Sequence, residues 1–453
     1  MILLGLITGL GTILLAGFGV TLLLLRNTPR LNAAECLSLA WLFGCGAVSM
    51  LLFLGGIVMT GLPLQLLVML GCVMLAFCGW KTKAGARWVV PKPANKFEWF
   101  VSALIAFGVL AMFFASAQHT LGWDGLLNWE IKARYAFLNS GVLPSAYYVD
   151  AARVFSHPEY PLLIPMTETW LYLWMGEANQ FWVKIIFPLF YAAGAVVLAL
   201  VGSRVAGRRW PGLVVAALLV LVPFLANGTG GVVVGYADFP LSVIYLAVIG
   251  YLLTSLKQDD AQSFRVYAAA MAILPWMKRE GIVLWLVAVF CGAIVLWKRR
   301  GKPGAWLSLL GGVAVLIGWR VYLHAVHAVG SHDFQTADWT MLEANVYRVG
   351  PVFREVFMEM GQASDWSFFW WIAAIAIGTL TFRARQVGTV LLSLGVFAPI
   401  VLFGCSYVFS AWPDYLAHMS TSFPRLLLQV MPVGWLAVAA AAGTEKEDRE
   451  GVD

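Results

Sequence analysis

The sequence has little charge for its length. Only 12% of the 453 residues are Asp, Glu, Lys or Arg, whereas 61% are hydrophobic and the mean hydropathy is +0.80. A soluble globular chain carries roughly a quarter charged residues, so the shortage excludes an ordinary soluble domain. The apolar residues occur in runs of about twenty, which is the length that crosses the hydrocarbon core of a bilayer. We therefore predict an integral membrane protein.

The sequence also lacks the motifs of several kinds of site. No Cys-x-x-Cys pair occurs, so neither a disulfide framework nor a zinc site is indicated. Neither a P-loop nor a Rossmann glycine pattern after a strand is present, which argues against a nucleotide site. Because no basic residue precedes the apolar stretch 1–25, we expect a retained first span there rather than a cleaved signal peptide.

The apolar runs predict an all-α polytopic membrane protein with about 13 transmembrane helices. The 21 Trp residues are typical of the aromatic belts at membrane interfaces. The expected spans lie near residues 2–25, 36–59, 62–80, 99–117, 180–202, 211–226, 240–256, 266–277, 282–297, 305–327, 367–382, 387–409 and 426–443.

Basic residues are concentrated in every second connecting loop. Most of the 30 Lys and Arg residues fall at 26–30, 81–96, 204–209, 257–265, 298–302, 383–385 and 446–449. The positive-inside rule makes these loops cytoplasmic, which places the N-terminus outside and the C-terminus inside. The net charge of +6 then reports orientation, and no nucleic-acid partner is expected. Compact basic loops and a short tail favour a bacterial inner (plasma) membrane.

The opposite loops carry the polar and aromatic side chains that suit a functional site. They span roughly 118–179, 227–239, 278–281, 328–366 and 410–425. Long loops of this kind are where function usually lies. We therefore expect the site to face away from the cytoplasm.

The first of these loops contains the segment WDGLLNWEIKARYAFL. Apolar residues at helical spacing from Leu126 onward predict an amphipathic helix that lies in the membrane surface. Asp124 directly precedes this helix. Its carboxylate either caps the helix or acts as a general base toward an acceptor hydroxyl, and the two roles need not exclude each other.

Two further loops contribute polar candidates. In SHPEYPLLIP the prolines favour an extended segment, and His157, Glu159 and Tyr160 either line a pocket or are structural. In GYADFPL, Asp238 either caps the next span or joins Asp124 in one polar cluster. A divalent cation held by the two aspartates is left open, because no Asp-x-Asp pair and no histidine cluster supports a metal site.

Several cations occur on the side from which the positive-inside rule excludes them. The turn PWMKREG carries Lys278 and Arg279, and each cation costs up to about 2.5–3.5 kcal/mol if held near mid-bilayer. They either extend to the lipid headgroups or bind an anion. Arg425, in FPRLLLQVMP, is either an interfacial anchor or a guanidinium suited to phosphate oxygens.

Together these motifs resemble the GT-C superfamily of polyprenyl-phosphate-sugar-dependent glycosyltransferases. The nearest resemblance is to bacterial relatives of the protein mannosyltransferases and of the lipid A aminoarabinose transferases. It covers about residues 98–443 and runs in order through WDG…ARYAFLNSGVLP, HPEYPLLIP, GYADFPL, KREG and PRLLLQVMP. The resemblance implies a GT-C-like helical fold with amphipathic helices in the first large outer loop and a cavity open to the outer face.

The resemblance also implies roles for individual residues. Asp124 is expected to be the catalytic base, and Lys278, Arg279 and Arg425 are expected to hold the donor phosphate. The residues expected to contact or orient the substrates are Glu130, His157, Tyr160, Asp238 and Glu280. Glu130 is included because many relatives have a second acid directly after the first, where this chain has a glycine.

Both ends of the chain depart from the family pattern. Residues 1–97 are expected to form an accessory three-span bundle with a basic cytoplasmic loop, ahead of the glycosyltransferase domain at 98–443. Residues 444–453 are expected to form a short cytoplasmic tail where relatives have a large soluble domain.

The expected activity is the inverting transfer of a hexosyl or pentosyl group from polyprenyl phosphate to a glycan, lipid or protein acceptor. A lipid or glycan transporter or flippase is the alternative, although transporters usually show internal repeats and place ionisable groups near mid-bilayer. A non-catalytic scaffold for a cell-envelope complex is a third interpretation.

Overall fold

The computed structural model describes residues 1–83, 86–227, 229–383 and 386–443. Helices make up nearly all of the regular structure in these ranges, which confirms the all-α fold class. The predicted tail at 444–453 and Arg385 of a predicted basic loop lie outside the described residues.

The α-helices follow one another along the described chain. They are α1 (Ile2–Leu24), α2 (Ala33–Gly56), α3 (Gly61–Thr82), α4 (Lys96–Gln118), α5 (Ile131–Leu138), α6 (Ser145–Val149), α7 (Leu163–Met175), α8 (Gln180–Val183), α9 (Ile186–Ala206), α10 (Arg209–Leu218), α11 (Asp238–Gln258), α12 (Ala261–Met277), α13 (Gly281–Lys298), α14 (Pro303–Leu307), α15 (Gly311–Ala325), α16 (Trp339–Asn345), α17 (Val349–Met360), α18 (Ala363–Trp366), α19 (Phe369–Arg383), α20 (Val387–Val408) and α21 (Tyr415–Gly443).

Other regular elements are short. A π-helix (Gly125–Glu130) leads directly into α5. Strands β1 (Arg30–Asn32) and β2 (Arg87–Val89) pair in parallel. Single 3₁₀ turns occur at Ala151–Ser156, Leu219–Leu221, Pro223–Ala226, Val232–Val234, Ser308–Leu310 and Val346–Arg348.

Ten helical segments in the described ranges are long and apolar enough to cross a bilayer. They are α1, α2, α3, α4, α8 with α9, α11, α13, α14 with α15, α20 and α21. The chain is therefore an integral membrane protein. The other three expected spans are also helical, but α10, α12 and α19 have only 10, 17 and 15 residues. The count of 13 thus stays a prediction.

Small residues bring the first two helices into close contact. A β-carbon at Gly17 would lie 1.8 Å from the carbonyl oxygen of Ala40, and one at Gly44 would lie 2.1 Å from that of Ile13. No larger residue fits either position without moving the backbone. Such contacts are typical of membrane helices, because lipid offers no hydrophobic drive for association and close packing takes its place.

Buried polar contacts fasten the N-terminal helices to the rest of the protein. Trp170 of α7 donates its indole N–H to Thr12 of α1 at 2.8 Å. Arg204 of α9 donates two hydrogen bonds of 2.6 Å to Glu35 of α2. Glu35 also accepts a 2.6 Å hydrogen bond from the Tyr251 hydroxyl of α11. The first helices thus pack on helices of the expected glycosyltransferase domain, and the domain boundary between them stays a prediction.

The long helices separate the candidate site from the basic loops. α11 begins at Asp238 and has Lys257 in its last turn, and α13 follows the Lys278–Glu280 turn and ends at Lys298. The candidate residues and the Lys- and Arg-rich loops therefore lie at opposite ends of the same helices.

Neutralising Glu35 is expected to destabilise the protein. Glu35→Gln leaves the Arg204 guanidinium, whose side chain is 26% exposed, without its anion. Loss of one partner from such a buried pair costs about 3 kcal/mol, so the midpoint of denaturation in mixed detergent micelles should fall. Asp259→Asn is the control, because Asp259 is 91% exposed in its ion pair with Arg299 and exposed pairs contribute little. Equal midpoints for the two variants would contradict a buried anchor at Glu35.

Candidate functional site

A cavity of about 820 Å³ lies at the end of the bundle where α11 and α13 begin. Its walls come from the segment after α4, the segment before α7, the turn between α12 and α13, the segment before α16, and helices α13, α20 and α21. The predicted site residues that line it are Asp124, His157, Tyr160, Lys278, Arg279, Glu280 and Arg425. Side chains far apart in the sequence therefore meet around one space.

Asp124 directly precedes the π-helix. Its carboxylate makes no capping hydrogen bond, so the capping interpretation is wrong, and it forms an ion pair with Arg425 of α21. π-helical turns are rare and often occur at functional sites. Gly125 allows this turn to lie against the glycine-rich loop before α11, because a β-carbon there would be 2.4 Å from the Val234 carbonyl oxygen.

Lys278 has two carboxylates around it. Its side chain is 2% exposed, and its Nζ lies 2.7 Å from Asp238 Oδ1 and 3.1 Å from Glu280 Oε1. Gln429 Nε2 donates to the same Asp238 oxygen at 2.7 Å. Asp238 is the first residue of α11 but does not cap it, so the capping interpretation is wrong here as well. We call Asp124, Arg425, Asp238, Lys278 and Glu280 the charge cluster.

Opposite charges shift the pKa values of Asp124 and Lys278 toward their charged forms. Burial alone would raise the pKa of Asp124, but Arg425 and Lys278 hold that pKa below its usual value. Burial alone would lower the pKa of Lys278, but Asp238 and Glu280 raise it. The position of Lys278 outside the expected cytoplasmic loops predicts a buried anion beside it, and carboxylates of the protein itself occupy that place.

Two arginines keep donors available inside the cavity. The buried Nε of Arg425 has no hydrogen-bond partner in the described chain, and its guanidinium lies 5.4 Å from the ring centre of Tyr236. Arg279 lines the cavity, and in the described ranges no carboxylate pairs with it. An anion that enters the cavity therefore finds guanidinium groups with hydrogen bonds to donate.

One wall of the cavity is apolar and adjoins the cations. Ile282 and Val283 of α13, Leu402 and Phe403 of α20, and Leu426 of α21 form this apolar wall. Leu402 is 46% exposed, so it lies between the cavity and the outer surface of the bundle. The cavity is therefore amphipathic along its length.

The predicted amphipathic helix forms, but its polar face points inward. Asn128 and Lys132 are buried, whereas Leu126 and Leu138 are 36% and 69% exposed. Lys132 donates hydrogen bonds of 2.8 Å to the Asn128 side-chain oxygen and to the His157 carbonyl oxygen. The helix therefore ties the π-helical wall of the cavity to the His-Pro-Glu-Tyr segment instead of turning its polar face to solvent.

Among the described residues, two that were predicted for the site, Glu130 and Asp238, do not line the cavity; Asp238 lies behind Lys278, and Glu130 belongs to a separate contact. Its buried carboxylate pairs with Arg134 at 3.0 Å and accepts a 3.0 Å hydrogen bond from the Tyr172 hydroxyl. Within the part of the chain that the structure describes, Glu130 does not line the cavity. Its carboxylate connects the π-helix to α7, and the expected contact with a substrate stays a prediction.

Several polar and aromatic residues in or behind the cavity were not predicted as site residues. Asp333, Trp412 and His418 line it, and Lys132 lies behind its wall. The signal for Lys132 is its position four residues after Asn128, which puts both on one helix face. Asp333 and Trp412 have no comparable signal, because a main-chain bridge between Phe334 and Ser410 brings their segments together.

The acids of the charge cluster are occupied by basic side chains. Asp124 binds Arg425, and Asp238 binds Lys278. Across the described ranges, no three His, Cys, Asp or Glu side chains are grouped closely enough to hold a metal ion. A divalent cation in the site stays untested.

Lys132 is expected to make stability depend on pH. Burial lowers its pKa to about 7, although Glu159 and Asp124 act in the opposite direction. The unfolded chain therefore binds more protons than the folded protein above pH 7, and the free energy of unfolding should rise by about 2 kcal/mol from pH 7 to pH 9. Denaturation midpoints at the two pH values measure this rise. Lys132→Met should abolish it and the exposed control Lys302→Met should keep it, whereas equal slopes in both variants would refute the assignment.

Comparison of the chain with protein-family models, with curated protein sequences and with solved structures finds no match. The resemblance to GT-C glycosyltransferases therefore rests on the residue pattern. The assignment of a function rests on the geometry and charge of the cavity.

Proposed function

We propose that the protein is an inverting glycosyltransferase of the GT-C type, which transfers a sugar from polyprenyl phosphate to an acceptor hydroxyl. The observation that carries this proposal is the combination of groups in one cavity: an apolar wall, guanidinium groups and an ionised carboxylate. A lipid-linked phosphosugar presents an apolar chain, an anion and a sugar that match these groups.

The donor enters from the membrane. Its isoprenoid chain lies against the apolar wall between α13 and α20, where Leu402 reaches the outer surface. Its phosphate accepts hydrogen bonds from Arg279 and Arg425, whose planar guanidinium groups match phosphate oxygens. Lys278 contributes positive charge from behind, because its own hydrogen bonds go to Asp238 and Glu280.

The transfer is a single displacement. The acceptor oxygen attacks the anomeric carbon, the bond from that carbon to the phosphate oxygen breaks, and polyprenyl phosphate leaves with the electron pair. Asp124 takes the proton of the acceptor hydroxyl, as a general base. Arg425 turns from Asp124 to the donor phosphate, which frees the carboxylate and stabilises charge on the leaving group.

We also propose that the cavity opens to the outer face of a bacterial inner membrane. The support is the distribution of charge along α11 and α13, because the cavity and the basic residues Lys257 and Lys298 lie at opposite helix ends. Positively charged loops favour the cytoplasmic side.

Asp124→Asn is expected to lower kcat by at least about 100-fold, since loss of a general base typically costs that much. The measurement is transfer from a radiolabelled polyprenyl-phosphate sugar in membranes that contain the native acceptor, at matched protein levels. Asp259→Asn, an exposed aspartate at the far end of α11, is the control and should keep full activity. Full activity in Asp124→Asn would remove Asp124 from the catalytic role.

Arg279→Gln is expected to raise the KM for the donor by about tenfold or more, because a charge-assisted hydrogen bond to phosphate is lost. Arg279 has no ion-pair partner in the described chain, so this variant should fold normally. The exposed Arg26→Gln is the matched control. An unchanged donor KM would exclude Arg279 from the phosphate site.

The same assays separate the alternative functions. Saturable donor binding in the wild type without cleavage of the sugar–phosphate bond would favour a flippase. Normal envelope phenotypes for Asp124→Asn and Arg279→Gln would favour a scaffold.

A further inference from the structure

A segment that we call the strap, residues 329–338, contributes several residues to the cavity lining. It places Asp333 and Gln335 on the cavity surface. Three main-chain hydrogen bonds of 2.7–2.9 Å hold it, from Val329 to Tyr148, from Gln335 to Phe409 and from Ala411 to Asp333. These hydrogen bonds fix the backbone of the strap, which therefore forms a defined wall of the cavity.

Polar atoms beside the strap lack hydrogen-bond partners. His157 Nδ1 is buried and lies 3.7 Å from Asp333 Oδ2 and 3.9 Å from Glu159 Oε1, beyond hydrogen-bond length. Glu159 Oε2 is also buried and unpartnered among the described residues, while Oε1 accepts a 2.8 Å hydrogen bond from Ser331. His157 and Asp333 both line the cavity, so a ligand with hydroxyl or amine groups meets hydrogen-bonding side chains on this surface.

An aromatic surface adjoins these polar atoms. The Trp412 ring stacks on His418 with 4.6 Å between ring centres and 11° between planes, and its indole N–H points to Asp333 Oδ1 at 3.3 Å. Trp412 is 41% exposed and Trp123 is 70% exposed, and both line the cavity. A few convergent polar groups around an aromatic face are the usual composition of a small-molecule subsite.

Charge limits what this region accepts. Burial would raise the pKa of Glu159, but His157 and Ser331 beside it lower that pKa to about 2, so the carboxylate is ionised. Asp333 adds a second carboxylate at 3.7 Å from His157. Side by side, the two acidic side chains disfavour an anionic ligand and suit hydroxyl and ammonium donors.

We propose that His157, Glu159, Asp333 and Trp412 form a subsite for a saccharide ring that is uncharged or carries an amine. Within the proposed function, on which this name rests, the ring belongs to the acceptor. The donor phosphate and the acceptor ring then occupy regions of opposite charge in the same cavity, which Asp124 also lines.

The test is saccharide binding by the full-length protein in lipid nanodiscs, measured by saturation-transfer NMR titration without any donor. The probes are methyl glycosides of glucose, galactose and mannose with their 2-amino and uronate forms. At least one neutral or amino form should bind saturably, and its uronate counterpart should bind at least about tenfold more weakly. The absence of saturable binding by every probe would overturn the proposal.

The variants locate the subsite. Trp412→Leu should weaken binding at least about tenfold, whereas Trp339→Leu, which removes a 72% exposed indole away from the cavity lining, should not. Asp333→Asn should reduce the difference in binding affinity between the amino and uronate forms of the probe. Equal losses in the two tryptophan variants, or unchanged discrimination in Asp333→Asn, would overturn the proposal. Since binding needs no catalysis, intact saccharide binding without glycosyl transfer would refute the proposed function alone.

Discussion

The cavity depends on one constraint, which is that an ionised side chain buried in a membrane protein has to be compensated by an opposite charge. Removing a charge from water costs several kcal/mol, and only a close counter-ion with further hydrogen bonds offsets that cost. Asp124 and Arg425 satisfy this condition together, and so do Asp238, Lys278 and Glu280. Because these residues belong to the segment before the π-helix, to α11, to α21 and to the turn before α13, their pairing determines where four separate segments meet.

The same ion pairs determine which charged side chains of the cavity are available to a ligand. Lys278 is already paired with two carboxylates, so in the proposed mechanism it contributes positive charge without a direct bond, and Arg279 and Arg425 contact the phosphate. While Arg425 remains on Asp124, it lowers the pKa of the carboxylate that the proposed mechanism uses as a base. An anion that draws Arg425 away raises that pKa again. The base is then strongest when the donor is in place, which couples donor binding to proton removal.

The sequence predicts this protein well where a local pattern carries the information. Apolar runs predict the long helices, and the order of polar motifs predicts seven residues that line the cavity. Prediction from local sequence fails where the same sequence pattern is compatible with two different structures. An aspartate at the start of a helix is typical of an N-cap. Asp124 and Asp238 instead bind side chains that are more than 30 residues away in the chain. The buried polar face formed by Asn128 and Lys132 could not be predicted for the same reason. Periodicity shows that a helix has a polar and an apolar face, but not which of them packs inward.

The two regions of the cavity differ in the solvent from which each proposed ligand arrives. An isoprenoid chain is stable only in lipid, and the apolar wall between α13 and α20 reaches the lipid-facing surface at Leu402. A saccharide ring is stable only in water, and the polar strap region is built from loop segments instead of spanning helices. The reacting groups must therefore meet at the boundary of the two media. In the proposed arrangement the charge cluster lies at that boundary, near the ends where α11 and α13 begin, because ionised groups cost less there than at mid-bilayer.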